Sequence, residues 1–467
     1  MNPGPSIAEP PRGEVKRTKV SVRVPAESYL TASLVCLFFF AFAYYLEVFL
    51  VSYILLFVGV VLLPLLALSD RLVFNGRRVF RTGVMPNLWA YLKGSRLWLK
   101  SIDVESVETM SSASLKRPGK VYLRHRTTLR GQGLEFSLVS GGNSHRRFIR
   151  ELLGTIPEDV MDPASIELRD YLREPRLVTS MARKARIPSA EVLENTLRRP
   201  GKVRPAGSAV QTNVPEVSGR EKEPTLRVLG NQLRLAGSHL QAMESFRRAA
   251  RLRPDDPWIL LDTAKCLYSM AVLERDARLE RKAAAMLRLA ERRAGTDARL
   301  LTQLGESYFQ IGEGRRAINA FRKAVETVGE QFRSIRGLAE VSLFEGRLAH
   351  VVHNLGAASR LASSPGARRW SIAEADYFSR LSSDAEYMEL ELGRVNLLDS
   401  LARWRRFVFK LCLIGLPVIA LGLYLNDAVV ANAGWTLSAL SLVLWVLIQL
   451  GLRAFSPRII LPEQDSY

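Results

Sequence analysis

The chain has 467 residues, enough for two or three domains, and combines 48% hydrophobic with 24% charged residues. The two classes are segregated, with long apolar runs near both ends and a charged middle, which excludes one uniform globule. The formal charge of +20 fits nucleic acid, an anionic lipid surface or the cationic bias of a cytoplasmic membrane flank. No nucleic-acid motif accompanies it, so no nucleic-acid partner is expected.

Residues 1–27 are expected to be a basic, disordered cytoplasmic tail carrying Arg12, Lys16, Arg17, Lys19 and Arg23. In the next segment, 28–68, Glu47 is the only charged side chain. At about 1.5 Å per residue, roughly 40 helical residues span a bilayer core twice, so this segment predicts a transmembrane hairpin of two helices. The break should fall near Tyr45, Leu46 and Glu47, where two aromatics suit the interface and a carboxylate reaches water. A cleaved signal peptide would have one short apolar core, which this double-length run is not.

Residues 69–157 are β-rich. Asn75-Gly76-Arg77 separates Arg71-Leu72-Val73-Phe74 from Arg78-Val79-Phe80-Arg81, and Asn-Gly suits a tight hairpin turn. Further strands are predicted at 97–99, 104–109, 121–126 and 134–139, then a helix at 144–153. Strands closed by one helix directly after a membrane hairpin resemble bacterial pleckstrin-homology-like domains. The resemblance is carried by Arg71-Leu72-Val73-Phe74, Arg81-Thr82-Gly83 and Ile102-Asp103-Val104-Glu105-Ser106-Val107-Glu108. It implies a membrane-proximal binding or assembly module, with anionic lipid contact an open alternative to a plain β-sheet spacer. The Pro- and Arg-rich segment 158–222 is expected to be a linker, with one short helix at 189–198 opening on a Ser cap.

The span 223–364 carries a period of about 34 residues. Its first copy has Leu226, Leu229, Gly230, Leu233, Gly237, Ala242, Phe246, Ala249 and Pro254. The third has Leu301, Leu304, Gly305, Tyr308, Gly312, Ala317, Phe321 and Ala324, and the fourth Ile335, Leu338, Ala339, Gly346, Leu355 and Ala358. The second begins with Leu260, Ala264 and Leu267 but reaches Ala283, Leu287 and Ala290 about seven residues late, so its first helix or its turn should be lengthened. This register resembles the tetratricopeptide repeat (TPR). About four copies would form an α-helical solenoid in which small residues let helices cross closely and Phe246, Leu287, Phe321 and Leu355 fill the space between them.

In such solenoids partners bind to first-helix side chains lining a concave groove, here Arg227, Asn231, Asp262, Lys265, Arg299, Gln303, Glu306, Arg336 and Glu340. Arg227, Asn231 and Arg299 partly resemble the carboxylate clamp of chaperone-binding relatives, whereas Asp262 and Gln303 depart from it. An Asp would repel a terminal carboxylate, so an extended peptide or a partner helix is the expected ligand.

Residues 365–405 predict capping and connecting helices, with Gly393 a candidate interruption. Residues 406–454 predict a second transmembrane hairpin whose tip holds Asn426 and Asp427, and 455–467 form a cytoplasmic tail. Lys and Arg flank both hairpins and neither tip has any, so both termini and the soluble domains are expected in the cytoplasm, with the chain multi-pass in a bacterial inner (cytoplasmic) membrane. Transport is disfavoured because Glu47 sits at a tip and Lys410 near the membrane boundary.

Cys36 and Cys412 fall in apolar stretches and Cys266 in a helix core, so no disulfide or metal site is expected. No phosphate loop, nucleophile elbow or metal-binding helix occurs, and neither an enzyme nor a cofactor is expected. The fold class that follows is a multi-domain membrane protein with a TPR solenoid, a small β-rich domain and two transmembrane hairpins. Its expected function is that of a scaffold or adaptor binding a protein partner. The alternative is sensing of membrane lipid or envelope state by the β-rich domain, with the repeats as an oligomerisation arm.

Overall fold

The computed structural model describes residues 19–93, 96–117, 120–140, 142–198 and 219–456. The chain divides into two units: Met1–Val24 with Asp70–Leu252, and Pro25–Ser69 with Arg253–Tyr467.

The second unit opens with α1 (Glu27–Tyr45), α2 (Phe49–Phe57), a π-helical turn (Val58–Leu62) and α3 (Leu63–Ser69). Its first turn of chain direction falls where the Tyr45-Leu46-Glu47 break was expected, with Glu47 at φ 61.

The first unit contains two antiparallel sheets. One joins β1 (Val20–Arg23), β2 (Arg71–Phe74), β3 (Arg78–Thr82) and β4 (Trp98–Lys100) in that order. β1 corrects the expectation of disorder up to residue 27: Val20 and Val22 alternate inward, so pairing with Phe74 and Leu72 buries them. Arg81 donates to the fully buried Asp70 at 2.9 and 2.5 Å, which gives that carboxylate a charged partner at the root of the sheet. α4 (Val84–Lys93) links β3 to β4 and was not foreseen. The other sheet contains β5 (Ser106–Arg117), β6 (Lys120–Gly131) and β7 (Leu134–Val139). α5 (Gly142–Leu153) buries Phe148, Ile149, Leu152 and Leu153, and Phe148 meets Phe74 edge-on at 6.3 Å.

The described part of the expected linker is ordered, which corrects the boundary at 158. α6 (Pro163–Tyr171), α7 (Pro175–Lys184) and α8 (Ala190–Arg198) follow α5. Pro163 and Pro175 stand in the first turns of their helices, where a missing N–H removes no bond, so these prolines start helices rather than prevent them. Asp162 caps α6 through Ser165 N at 2.8 Å and also accepts from Thr109 N at 3.2 Å, tying the helix to β5. Residues 199–218 of the expected linker lie outside the described residues.

α9 (Gly219–Leu235) and α10 (His239–Leu252) form the first helix pair and belong to the same unit as the sheets. The second unit resumes with α11 (Pro257–Glu274), α12 (Ala277–Arg293), α13 (Ala298–Gln310), α14 (Gly314–Val328), α15 (Phe332–Phe344) and α16 (Leu348–Leu361). The extra length of the second copy lies in its helices: α11 has 18 residues where α13 and α15 have 13 each. The stack is held by interdigitation. The buried ring of Phe321 lies where a Cβ on Gly305 would stand 2.7 Å from it and one on Gly337 2.4 Å, so both positions admit glycine alone without rearrangement.

α17 (Pro365–Ser383) leads to α18 (Ala385–Tyr424) and α19 (Ala428–Ala454). The helical break before the second hairpin is at Asp384, which caps α18 through Glu386 N and Tyr387 N; Gly393 does not interrupt it. At 40 residues α18 is about 60 Å long. Its N-terminal part is tied down by charge. Glu391, only 3% exposed, pairs with Arg394 and accepts from Tyr377 Oη at 2.9 Å, while Arg394 also reaches the carbonyls of Phe455 and Ser456 at 3.1 and 3.2 Å. Four helical stretches, Glu27–Tyr45, Phe49–Ser69, Ala385–Tyr424 and Ala428–Ala454, are long and apolar enough to cross a membrane. The hairpins pack together through Trp435, stacked on Tyr45 at 5.6 Å, and through Tyr45 Oη donating to Asn432 Oδ1 at 2.9 Å.

Candidate functional site, the first-helix surface of the repeats

The first helices of successive pairs, α11, α13 and α15, lie next to one another, so their side chains form one continuous surface. Four sequence-predicted residues meet on it in two contacts. Lys265 Nζ donates to Gln303 Oε1 at 3.2 Å, joining α11 to α13. Arg336 Nε donates to Glu340 Oε1 at 2.8 Å within α15 and places its guanidinium 4.7 Å from the Trp370 ring centre on α17. Glu306 of α13 takes both arms of Arg333 on α15, one at 2.6 Å and the other closer still. The remaining members differ in access: Arg299 is exposed, and Asp262 is only 4% exposed.

The surface is therefore a ribbon of cross-helix polar contacts. Arg333 and Trp370 were missed from sequence. The period could have found Arg333, which stands one repeat of about 34 residues after Arg299 in the same register. Trp370 follows the last repeat and has no periodic signal.

Arg227 and Asn231 stand in the first unit, in another setting. Asn231 is 1% exposed, its Oδ1 accepts from Arg234 at 3.4 Å, and Arg234 donates to Glu167 of α6 at 2.7 Å. Asn231 is thus packed against the helices after the sheets, which corrects its assignment to an open groove. The same pair docks through Arg248, which donates to the carbonyls of Ala185 and Arg186 at 2.9 and 3.2 Å, and through Gln241, which donates to Pro188 O at 2.8 Å. Gly237 adds the closest approach. At φ 77 its carbonyl accepts from Val121 N at 2.9 Å, and a Cβ there would stand 1.7 Å from Val121 O.

Behind the ribbon, Tyr308 is fully buried and donates to Glu291 Oε2 at 2.8 Å. Burial, then the Glu291 carboxylate, push its phenol well above the usual range, so it stays a neutral donor.

No family model matches the chain, and no curated protein does. Among solved structures it is similar to MamA, at 16% identity and TM-score 0.25 over 34% of this chain and 82% of that one. A thermophilic TPR protein of Thermus thermophilus is similar at 20% identity and TM-score 0.30, over 43% of this chain and 95% of its own. The apo form of RapI is similar at 12% identity and TM-score 0.29, over 68% and 82% respectively. At such scores the repeat architecture rests on the helix pairs themselves.

Proposed function

We propose that this chain is a membrane-anchored TPR scaffold that holds a protein partner, as an extended peptide or a helix, on the first-helix ribbon of α11, α13 and α15. The observation that carries this reading is the ribbon itself: acids, bases and amides alternate along adjacent helices, with the exposed Arg299 among them. A mixed polar surface of this kind matches a partner of alternating charge better than a terminal carboxylate, which the near-buried Asp262 would oppose.

Anchoring is supported by the four apolar stretches and by the continuity of α18 from the capping helices into the second hairpin. In this reading Glu391 and Arg394 fix the ribbon relative to the bilayer, the tips at Glu47 and Asn426 face away from the cytoplasm, and the sheet module lies near the inner leaflet as a pleckstrin-homology-like element.

Two measurements test it. A photo-crosslinking side chain at Arg299 in the full-length chain, in intact cells, should capture a defined protein band that weakens when Arg336→Ala is added; a band unchanged by the second substitution argues against the ribbon. A membrane-impermeant thiol reagent should label Glu47→Cys in sealed cells and spare Glu330→Cys. The reverse labelling would remove the cytoplasmic placement.

A further inference from the structure

The first unit contains a cavity of about 270 Å³ bounded by β6, the start of α5, the α6–α7 connection and α9. Among the described residues its charged lining is entirely basic: Lys120, Arg146 and Arg173 face it, and no carboxylate does. Burial pushes the Arg146 guanidinium below its usual range and Glu174, next in the chain after Arg173, partly offsets this; a guanidinium is cationic at neutral pH in either case. Gly142 and His145 bring the N-terminal turn of the 12-residue helix α5 to the same cavity, where helical N–H groups favour an anion.

Two buried polar atoms in this lining lack hydrogen-bond partners among the described residues. His145 Nε2 belongs to a side chain 3% exposed, and Gln232 Oε1 to one 5% exposed. Leaving such atoms unpaired forfeits the hydrogen bonds they would make in water, a loss that a bound group would remove. Their chemistry restricts that group. A carboxamide oxygen only accepts, so it needs a donor such as a hydroxyl, and an imidazole nitrogen can serve the same hydroxyl or an adjacent oxygen. Neighbouring His125 is already engaged, with Nδ1 2.8 Å from Ser111 Oγ and a hydrogen bond to the backbone of Leu235.

We propose that this cavity is a binding site for a hydroxylated phosphate ester, its phosphate held by Lys120, Arg146, Arg173 and the α5 N-terminus and its hydroxyl by Gln232 and His145. A glycerol phosphate group has this chemistry, whether as a soluble metabolite or as a phosphatidylglycerol headgroup. Because Gln232 comes from the first helix pair, Lys120 and Arg146 from the sheet module and Arg173 from the α6–α7 connection, occupancy would strengthen the joint among them.

The test uses the full-length chain in detergent, with sn-glycerol 3-phosphate as the probe and inorganic phosphate as the comparison, read by calorimetric titration. Saturable binding of glycerol phosphate is expected, tighter than that of inorganic phosphate. Arg173→Gln, at a partly exposed site, should weaken both by about tenfold. Gln232→Met should abolish the preference between them, with the unliganded melting transition retained in each variant. In nanodiscs, phosphatidylglycerol that displaces the soluble probe where phosphatidylcholine does not would assign the lipid source; displacement by neither would assign the soluble one. The proposal is overturned if wild type binds none of the three phosphates saturably, or if Arg173→Gln and Gln232→Met bind as wild type does.

Discussion

The first helix pair and the third share one sequence register but bury it against different neighbours. Phe321 of the third pair fills a space between Gly305 of its own pair and Gly337 of the next, so repeat packs on repeat. The first pair keeps the internal contact, Phe246 against Gly230, yet its turn and outer face dock on β6 and on α6 to α8. A repeat motif therefore specifies how two helices cross within a pair, while the partner of the outer face is decided by residues the motif leaves variable, here Arg234, Gln241 and Arg248.

The largest expected effect falls in the repeat stack. Phe321→Ala would leave a cavity that glycines on both sides cannot fill, at a cost of about 4 kcal/mol, and should disturb α13 to α15 without loosening the sheets. Hydrogen-exchange mass spectrometry on the detergent-solubilised chain would locate the loss, and exchange spread equally over β5 to β7 would contradict the division into units.

Next is a matched pair of turn glycines. Gly237 and Gly312 occupy the same place in the first and third repeats, at φ 77 and 81, but a Cβ on Gly312 would meet nothing within 4 Å. Gly312→Ala should cost about 1 kcal/mol from backbone conformation alone, and Gly237→Ala roughly 3 kcal/mol because β6 must also move. Equal costs in denaturant melts would mean that the turn is not docked on Val121.

A pH-dependent difference, smaller for each group taken singly, also separates the units. Burial first, then like charge from His125 and Arg146, lowers His145 from 6.5 to about 4, and burial with Arg234 does the same to His239. Both are neutral in the folded unit. The unfolded chain binds protons more tightly, so stability is greatest above about 6.5 and declines as pH falls towards 4, by on the order of 2 kcal/mol per histidine at pH 5. His350 and His353 in the other unit are exposed. Exchange protection, corrected for intrinsic rate, should therefore drop first around α5, α10 and β6 on acidification, and a simultaneous drop in α13 to α16 would defeat this account.

What could be read from sequence follows the physics of each signal. The apolar hairpins and the register of Gly305, Phe321 and Ala324 were legible because length and period are local properties of the chain. β1 was not, since the Val20 and Val22 alternation spans four residues and acquires meaning only beside Phe74 and Leu72. Helices α6 and α7 were obscured by Pro163 and Pro175, which resemble linker residues until their place in the first turn is known. On the candidate ribbon, the period places Glu306 and Arg336 on first helices, but Asn231 lies buried beside Arg234, whose ion pair with Glu167 spans 67 positions of sequence, and no periodicity reports such a contact.

The smallest effect on stability is expected where the effect on binding is proposed to be largest. Arg299 is exposed, so Arg299→Ala should change unfolding free energy by less than about 0.5 kcal/mol. Glu306→Gln, by contrast, weakens a two-armed pair with Arg333 that links α13 to α15, where the carboxylate is mostly covered, and should cost about 1 to 2 kcal/mol while loosening the same surface. If the ribbon holds a partner, the two variants should reduce co-purification from membranes in the opposite order to their effect on melting, Arg299→Ala more at unchanged stability. Co-purification that simply tracks the melting data would assign these side chains to holding the helices together, and the partner would have to be sought on another face.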